Sequence, residues 1–124
     1  MPLAGALVVG LLTIVAAQAQ AADRAVEVTV VNGRIVVAEA EVKVGKSQGA
    51  LLWRLPAGNY SFPSNGIVIN APPGVFQPCS PVANGRQFRC VVANRLSGAR
   101  YKYDVNVNDG GTALPTLDPF INIE

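Results

Sequence analysis

From residue 26 onward, apolar and polar residues alternate with a period of two along most of the chain. Successive side chains of a β-strand point to opposite faces of a sheet, so this alternation predicts strands with one buried face. We count seven to nine such strands. Their apolar positions include Val26, Val28, Val30, Ile35, Val37, Val42, Val44, Leu51, Trp53, Leu55, Ile67, Ile69, Phe88, Cys90, Val92, Tyr101, Tyr103, Val105, Val107, Phe120, Ile121 and Ile123.

Turn-forming residues separate these segments at short intervals. Asn32-Gly33, Asn65-Gly66 and Asn84-Gly85 accept the positive φ values of tight turns, and further breaks contain proline, serine and glycine. No convincing amphipathic helix fits between the breaks. We therefore expect an all-β domain, a single Greek-key β-sandwich with Trp53 in its core.

The inward-facing positions change parity in one place. They are odd at Ile35 and Val37 and even at Ala40, Val42 and Val44. A β-bulge would account for the change, and so would a crossing of the chain from one sheet to the other near residues 38–40.

The two cysteines, Cys79 and Cys90, lie symmetrically about Asn84-Gly85. Folding the chain back at this dipeptide places the sulfurs opposite each other, which predicts a disulfide across a β-hairpin. A two-residue loop would put Pro81 at a hydrogen-bonded position, where it has no N–H to donate. A four-residue loop of residues 83–86 keeps the same partners and moves Pro81 to a non-hydrogen-bonded position, so we predict the longer loop.

The first 21 residues predict export. Residues 3–17 are almost entirely apolar, a run short for a membrane span, and Ala-Gln-Ala repeats follow it. We predict a signal-peptide helix cleaved after Ala21, with cleavage after Ala19 as the second choice. No Lys or Arg precedes the run, so the basic region of a typical signal peptide is missing. An uncleaved membrane anchor is the alternative. The prediction leaves one β-sandwich domain, residues 22–124, that is periplasmic or secreted.

The absence of histidine excludes several classes of function. Imidazole base catalysis, Ser-His-Asp triads and ordinary histidine zinc sites all need that residue. Glu39 and Glu41 would share one face of a strand, and Asp104 precedes the turn at Asp109, but neither spacing indicates a specific carboxylate enzyme or calcium site. We therefore expect no enzyme, no cofactor and no metal site.

One stretch is rich in basic residues and contains no acid. It includes Arg86, Arg89, Arg95, Arg100 and Lys102. Such a group predicts a docking surface for an anionic polymer or an acidic envelope protein, and its plain alternative is a solvated hairpin and strand face. The formal net charge of +2 is too small to argue for nucleic acid.

Two segments resemble cupredoxin-like domains. Residues 42–45 leading into Leu52-Trp53 are similar to the second and third strands of that family. The segment from Phe88 through Cys90 to the strand of residues 101–107 is similar to its ending. The resemblance implies a β-sandwich with Cys90 in the place of the copper thiolate. The copper site also needs two histidines, so the resemblance does not extend to copper binding.

Immunoglobulin-like sandwiches share an aromatic residue two positions before a cysteine, here Phe88 and Cys90, although their disulfide spans a longer interval. The chain also resembles small bacterial exported domains of unassigned function, through Tyr101-Lys-Tyr and Leu117-Asp-Pro. We therefore expect a monomeric, non-enzymatic binding or accessory module of the bacterial cell envelope that uses end loops or an exposed strand edge. The alternative is a degenerate cupredoxin-like carrier of a small ligand or metal.

Overall fold

The structure is a computed structural model that describes residues 22–124, and these residues contain twelve β-strands and no helix. The predicted signal-peptide helix lies outside the described residues. Within residues 22–124, no helix is long and apolar enough to span a membrane. The strands are β1 (Ala22–Val31), β2 (Arg34–Val37), β3 (Glu41–Val44), β4 (Gln48–Arg54), β5 (Tyr60–Ser61), β6 (Ile67–Ile69), β7 (Phe76–Val82), β8 (Gln87–Val92), β9 (Arg100–Val105), β10 (Asn108–Asp109), β11 (Thr112–Ala113) and β12 (Phe120–Ile123).

Two main sheets enclose the core, which confirms the predicted all-β fold. The first sheet has the order β2-β1-β4-β8-β7 and the second has the order β3-β12-β9-β6. Pairing is parallel between β1 and β4 and between β3 and β12, and antiparallel elsewhere. The strand count exceeds the prediction because β5, β10 and β11, with two residues each, form a small third sheet. Two residues are too few to show an alternating pattern.

The change of parity between Val37 and Val42 is a crossing between the two main sheets. β2 belongs to the first sheet and β3 to the second. The N–H of Ala38 still donates to the carbonyl of Glu27 in the first sheet, at 3.0 Å, and the carbonyl of Ala40 accepts from Phe120 in the second, at 2.8 Å. The chain therefore passes from one ladder to the other within residues 38–40.

Trp53 lies in the core, as predicted, and contacts Tyr103 from the opposite sheet. Its indole N–H donates to the Tyr103 hydroxyl at 3.2 Å, and the two ring centroids are 5.3 Å apart. Burial raises the pKa of Tyr103 to about 12, because the ionised form would lose its hydration. This aromatic pair joins the two sheets at the centre of the sandwich.

The β7–β8 hairpin has the predicted register. Cys79 pairs with Cys90 and Pro81 with Phe88, and four residues, 83–86, form the loop. The two sulfurs are bonded, and the Cα atoms are 4.1 Å apart, close to the short spacing of a non-hydrogen-bonded pair. The disulfide thus fastens β7, an edge strand, to the interior strand β8.

Candidate functional site

β2 is an open edge strand of the first sheet. It pairs with β1, and no other strand of residues 22–124 lies on its far side. The bond from the N–H of Ala38 to the carbonyl of Glu27 shows which residues of β2 form hydrogen bonds with β1. The main-chain N–H and C=O of Val36 point towards β1, and those of its two neighbours point away from β1. Ile35 and Val37 therefore each present a main-chain N–H and a C=O at the open edge.

The local sequence explains why this edge forms. Asn32 and Gly33 have φ values of 53° and 72°, which make the two-residue turn that reverses the chain between β1 and β2. Ile35, Val36 and Val37 are β-branched and favour extended backbone. No charge or proline interrupts the three, although natural edge strands use such residues to prevent pairing with another chain.

An apolar cleft of about 260 Å³ lies beside β2. Its far wall is anchored to the second sheet, because Leu117 exchanges backbone hydrogen bonds of 2.8 and 3.1 Å with Val105, and the carbonyl of Pro119 accepts from the N–H of Tyr103 at 3.0 Å. The cleft therefore lies between β2 of the first sheet and residues 117–119, which are hydrogen-bonded to the second sheet. Its lining consists of Ile35, Val36, Val37, Ala40, Leu117, Asp118 and Pro119.

The other edges of the two main sheets are less suited to strand addition. β7 contains Pro78 and Pro81, and proline has no N–H to offer. β3 carries the exposed charged residues Glu41 and Lys43. β6 has three residues without charge or proline, and a cleft of about 410 Å³ lies beside it, but that cleft is lined in part by the polar and charged residues Asn70, Lys102 and Asp104. Among the main-sheet edges of residues 22–124, β2 thus combines three consecutive residues without charge or proline, 35–37, with a cleft lined mainly by apolar residues; its one charged residue, Arg34, lies next to the turn.

The five basic residues singled out from the sequence do not share one surface. Arg89 alternates with buried residues of β8 and lies on the outer face of the first sheet. Arg100 and Lys102 lie on the outer face of the second sheet, on the opposite side of the sandwich. Arg86 is the last residue of the β7–β8 loop, and Arg95 follows β8 at the other end of that strand.

Each of these five side chains also has a partner within the fold. Arg89 donates to both carboxylate oxygens of Asp23, at 2.9 and 3.0 Å, and this lowers the pKa of Asp23. Arg100 contacts Glu41 at 2.7 Å, and Lys102 contacts Asp118 at 3.8 Å. Arg86 donates to the carbonyls of Pro56 and Gly58, and Arg95 donates to the carbonyl of Gln48. Binding of an anionic polymer by this set stays a prediction.

Three features bear on metal chemistry. Asp104 and Asp118 are neighbouring carboxylates, and a hydrogen bond between them raises the pKa of Asp104. Within residues 22–124, no three His, Cys, Asp or Glu side chains lie close enough together to hold a metal ion. The sulfur of Cys90, the position similar to the cupredoxin thiolate, is bonded to Cys79.

The sequence predicted an exposed strand edge in general terms but did not identify β2. A local signal was present, since Ile35, Val36 and Val37 follow a tight turn without a charge or proline among them. The position of a strand within its sheet, however, depends on long-range pairing. β2 lies at the edge because β1 has β4 as its other neighbour, and that parallel pairing leaves no signal in the local sequence.

The disulfide suggests a non-cytoplasmic location, because such bonds persist in oxidising compartments. The open β2 edge, its cleft and this disulfide are the features on which a proposal about function rests. A scan of the sequence against protein-family models finds no match, and neither does a search of the curated proteins.

Proposed function

We propose that this chain is a non-enzymatic, exported binding module of the bacterial cell envelope that adds a strand of a partner protein to β2. The observation that carries the proposal is the open edge at Ile35 and Val37, with an apolar cleft beside it. In strand addition, main-chain hydrogen bonds supply affinity, and pockets for alternate side chains supply specificity.

The edge would supply hydrogen bonds to the partner, and the cleft would bury apolar side chains of the partner. Two outward-facing residues allow at most four main-chain hydrogen bonds, each worth about 1 kcal/mol net. That sum does not offset the free energy lost when two molecules become one, so hydrogen bonds alone do not hold a partner. Apolar side chains of the added strand that enter the cleft supply the remainder, at about 25 cal/mol for each Å² that they bury.

Export is the second part of the proposal. It is supported by the disulfide and by the apolar segment of residues 3–17. The N-terminal sequence of the exported protein should begin at Ala22, and a titration under denaturing, non-reducing conditions should find no free thiol. Two free thiols would contradict an oxidising compartment.

Site-specific crosslinking tests the binding site. A photoreactive benzoylphenylalanine at position 36 of the protein, exported to a bacterial periplasm, should form an adduct that contains another envelope protein by mass spectrometry. Position 68 is the matched control, because Val36 is 42% exposed and Val68, on the edge strand β6 of the other sheet, is 45% exposed. Adducts of equal yield at both positions would overturn the proposal.

A proline substitution then tests the mechanism. Val37→Pro removes an outward-facing N–H and leaves the β1–β2 hydrogen bonds in place, so the adduct should disappear while the melting temperature stays close to that of the wild type. Val36→Pro removes a bond to β1 and should lower the melting temperature. An adduct that survives Val37→Pro would show that strand addition is wrong.

The cupredoxin-like and immunoglobulin-like resemblances support no more specific function. A carrier of the cupredoxin kind would use Cys90 as a ligand, and the bond to Cys79 occupies that sulfur. Elemental analysis of the purified, oxidised protein separates the two ideas. Stoichiometric copper would favour the carrier over the binding module.

A further inference from the structure

We infer that in the isolated protein a second copy of the chain occupies the open edge, with the two β2 strands antiparallel across a two-fold axis at Val36. The inference rests on the proposed function because it uses the same edge, and it names the strand that fills the edge when no other partner is bound. It replaces the monomer expected from the sequence.

The hydrogen-bonding pattern of β2 selects this register. Ile35 and Val37 are the outward-facing residues of the strand, one on each side of Val36. Pairing Ile35 of one copy with Val37 of the other, and the reverse, forms four main-chain hydrogen bonds between strand residues. A shift by two residues would instead require Gly33 in the turn or Glu39 beyond the end of β2.

The same register places apolar side chains on both faces. Ile35 and Val37 of the second copy lie on the face that holds the cleft. Ile35 is buried in its own core, so the half-buried Val37 is the side chain that extends this apolar face towards the cleft beside residues 117–119. On the outer face, the two Val36 side chains become a non-hydrogen-bonded pair with Cα atoms about 4.5 Å apart. Each of these side chains is 42% exposed in the single chain.

Charge is also complementary in this arrangement. Arg34 is exposed and forms no ion pair within residues 22–124. In the proposed register, Arg34 of the second copy lies opposite Ala38. On its other side, Ala38 is paired with Glu27 of β1, so the three residues form one row across the sheet. Arg34 and Glu27 lie on the same outer face. Glu27 already accepts from Arg54 through Oε2, and the small side chain of Ala38 allows the guanidinium of Arg34 to reach the other carboxylate oxygen, Oε1.

The remaining edges keep such an assembly finite. A two-fold contact uses the same patch on both copies, so it closes on itself and yields a dimer with a continuous ten-stranded sheet. Both ends of that sheet are then β7, which carries Pro78 and Pro81. The paired strands are short, and an interface of that size belongs to weak, reversible complexes. We therefore expect a dimer that dissociates on dilution.

Opposite charges at position 36 test the register. In analytical ultracentrifugation, Val36→Lys alone and Val36→Glu alone should each weaken dimerisation at least tenfold, because like charges would lie directly opposite. An equimolar mixture of the two variants should restore it. Val68→Lys and Val68→Glu are the matched controls and should dimerise as the wild type does, since Val68 is equally exposed on another edge.

Folding of the variants is checked by their melting temperatures, which should match that of the wild type because position 36 faces solvent. A wild type that stays monomeric at every concentration overturns the inference. So does a dimer that either single Val36 variant leaves unchanged, and so does a mixture that fails to associate when each variant alone is monomeric. Val36→Cys should additionally form an interchain disulfide under oxidation, and Val68→Cys should not.

The two proposals fail in different ways. If the wild type is monomeric but position 36 still crosslinks to another envelope protein, self-pairing is wrong and the proposed function stands. If the wild type dimerises through Val36 and position 36 yields adducts of the chain with itself alone, self-pairing stands and the proposed function is wrong.

Discussion

The two edges of the first sheet, β2 and β7, differ in what they offer to another strand. On β7, the residues whose main chain faces outward are Cys79 and Pro81, and proline has no N–H. On β2, Ile35 and Val37 each present a donor and an acceptor. The residue types at two outward-facing positions therefore decide whether the main chain of each edge can pair with another strand.

The edges also differ in how they are held to the sheet. β7 is bonded covalently to β8 by Cys79 and Cys90. β2 is held by four pairs to β1 and by the turn at residues 32–33. Substitutions and changes of solution conditions that affect one edge, both edges or neither can separate the contribution of the disulfide from that of strand pairing.

The largest expected effect is on the closed edge. Reduction of the Cys79–Cys90 disulfide should lower the free energy of unfolding by about 3 kcal/mol, because the open chain regains the entropy that the loop removes. Urea unfolding with and without reductant measures the change. Hydrogen exchange through global unfolding should quicken throughout the domain, and exchange through local opening should quicken more in β7 than in β2. The double variant Cys79→Ala/Cys90→Ala is the control and should not respond to reductant, and equal changes at both edges would contradict the contrast.

The next largest effect concerns the core, which both edges share, and it comes from ionisation of Tyr103. The pKa of Tyr103 is raised to about 12, whereas tyrosine in the unfolded chain titrates near pH 10, so the protonated hydroxyl favours the folded state. This stability is complete below about pH 10 and is lost as the pH rises towards 12, where the loss reaches about 2 kcal/mol.

Urea unfolding between pH 9 and pH 12 measures this dependence, with Tyr103→Phe as the comparison. The variant should be less stable at pH 9, since Trp53 loses its hydrogen-bond acceptor, and its curve should fall less steeply above pH 10. Parallel curves for the two proteins would show that Tyr103 does not titrate as described.

A smaller effect on stability is expected from opening the closed edge. Pro81→Val gives β7 an outward-facing N–H, and we expect the free energy of unfolding to change by less than about 1 kcal/mol. Association should change more, because each end of the proposed dimer would then accept another copy. Light scattering at rising concentration detects such assemblies. Ser80→Val is the matched control, since it adds the same side chain at a position whose main chain faces β8.

The smallest expected effect on stability concerns an ion pair between β1 and β8, two strands that lie between the edges. Asp23→Asn removes the exposed ion pair with Arg89 and should cost less than about 1 kcal/mol at pH 7. Because Arg89 lowers the pKa of Asp23, the pair stabilises the fold above the unfolded pKa, about 3.9, and this stability is lost as the pH falls through the folded value. Melting curves of the two proteins should therefore converge in acid, and dimerisation should not change. A difference that persists at low pH would contradict this assignment.

Local features of the fold were predictable from the sequence. The alternation of apolar and polar residues identified the main strands and placed Trp53 in the core, and Pro81 identified the four-residue loop of the hairpin. The change of parity after Val37 indicated either a β-bulge or a crossing between sheets, and the structure shows the crossing. Each of these inferences depends on residues close together in the chain, where sterics and hydrogen bonding act directly.

The features that the sequence did not reveal depend on distant residues. The stretch that contains Arg89 and Arg100 has no acid of its own, yet the fold brings Asp23 and Glu41 to those two side chains across 66 and 59 positions of the chain. The same limit applies to the β2 edge, which is open because of the order of strands. A pattern in one segment cannot show which other segment will lie beside it.

The position of β12 between β3 and β9 has a kinetic consequence. The second sheet lacks its central strand until β12 arrives, and the contact of Asn122 with Glu41 spans 81 positions. Loops of that length close slowly, so β3 stays unpaired during folding until β12 pairs with it. We expect the sandwich to assemble late and cooperatively, and a chain that emerges through a membrane in an unfolded state would reach its native sheet order after β12 has crossed.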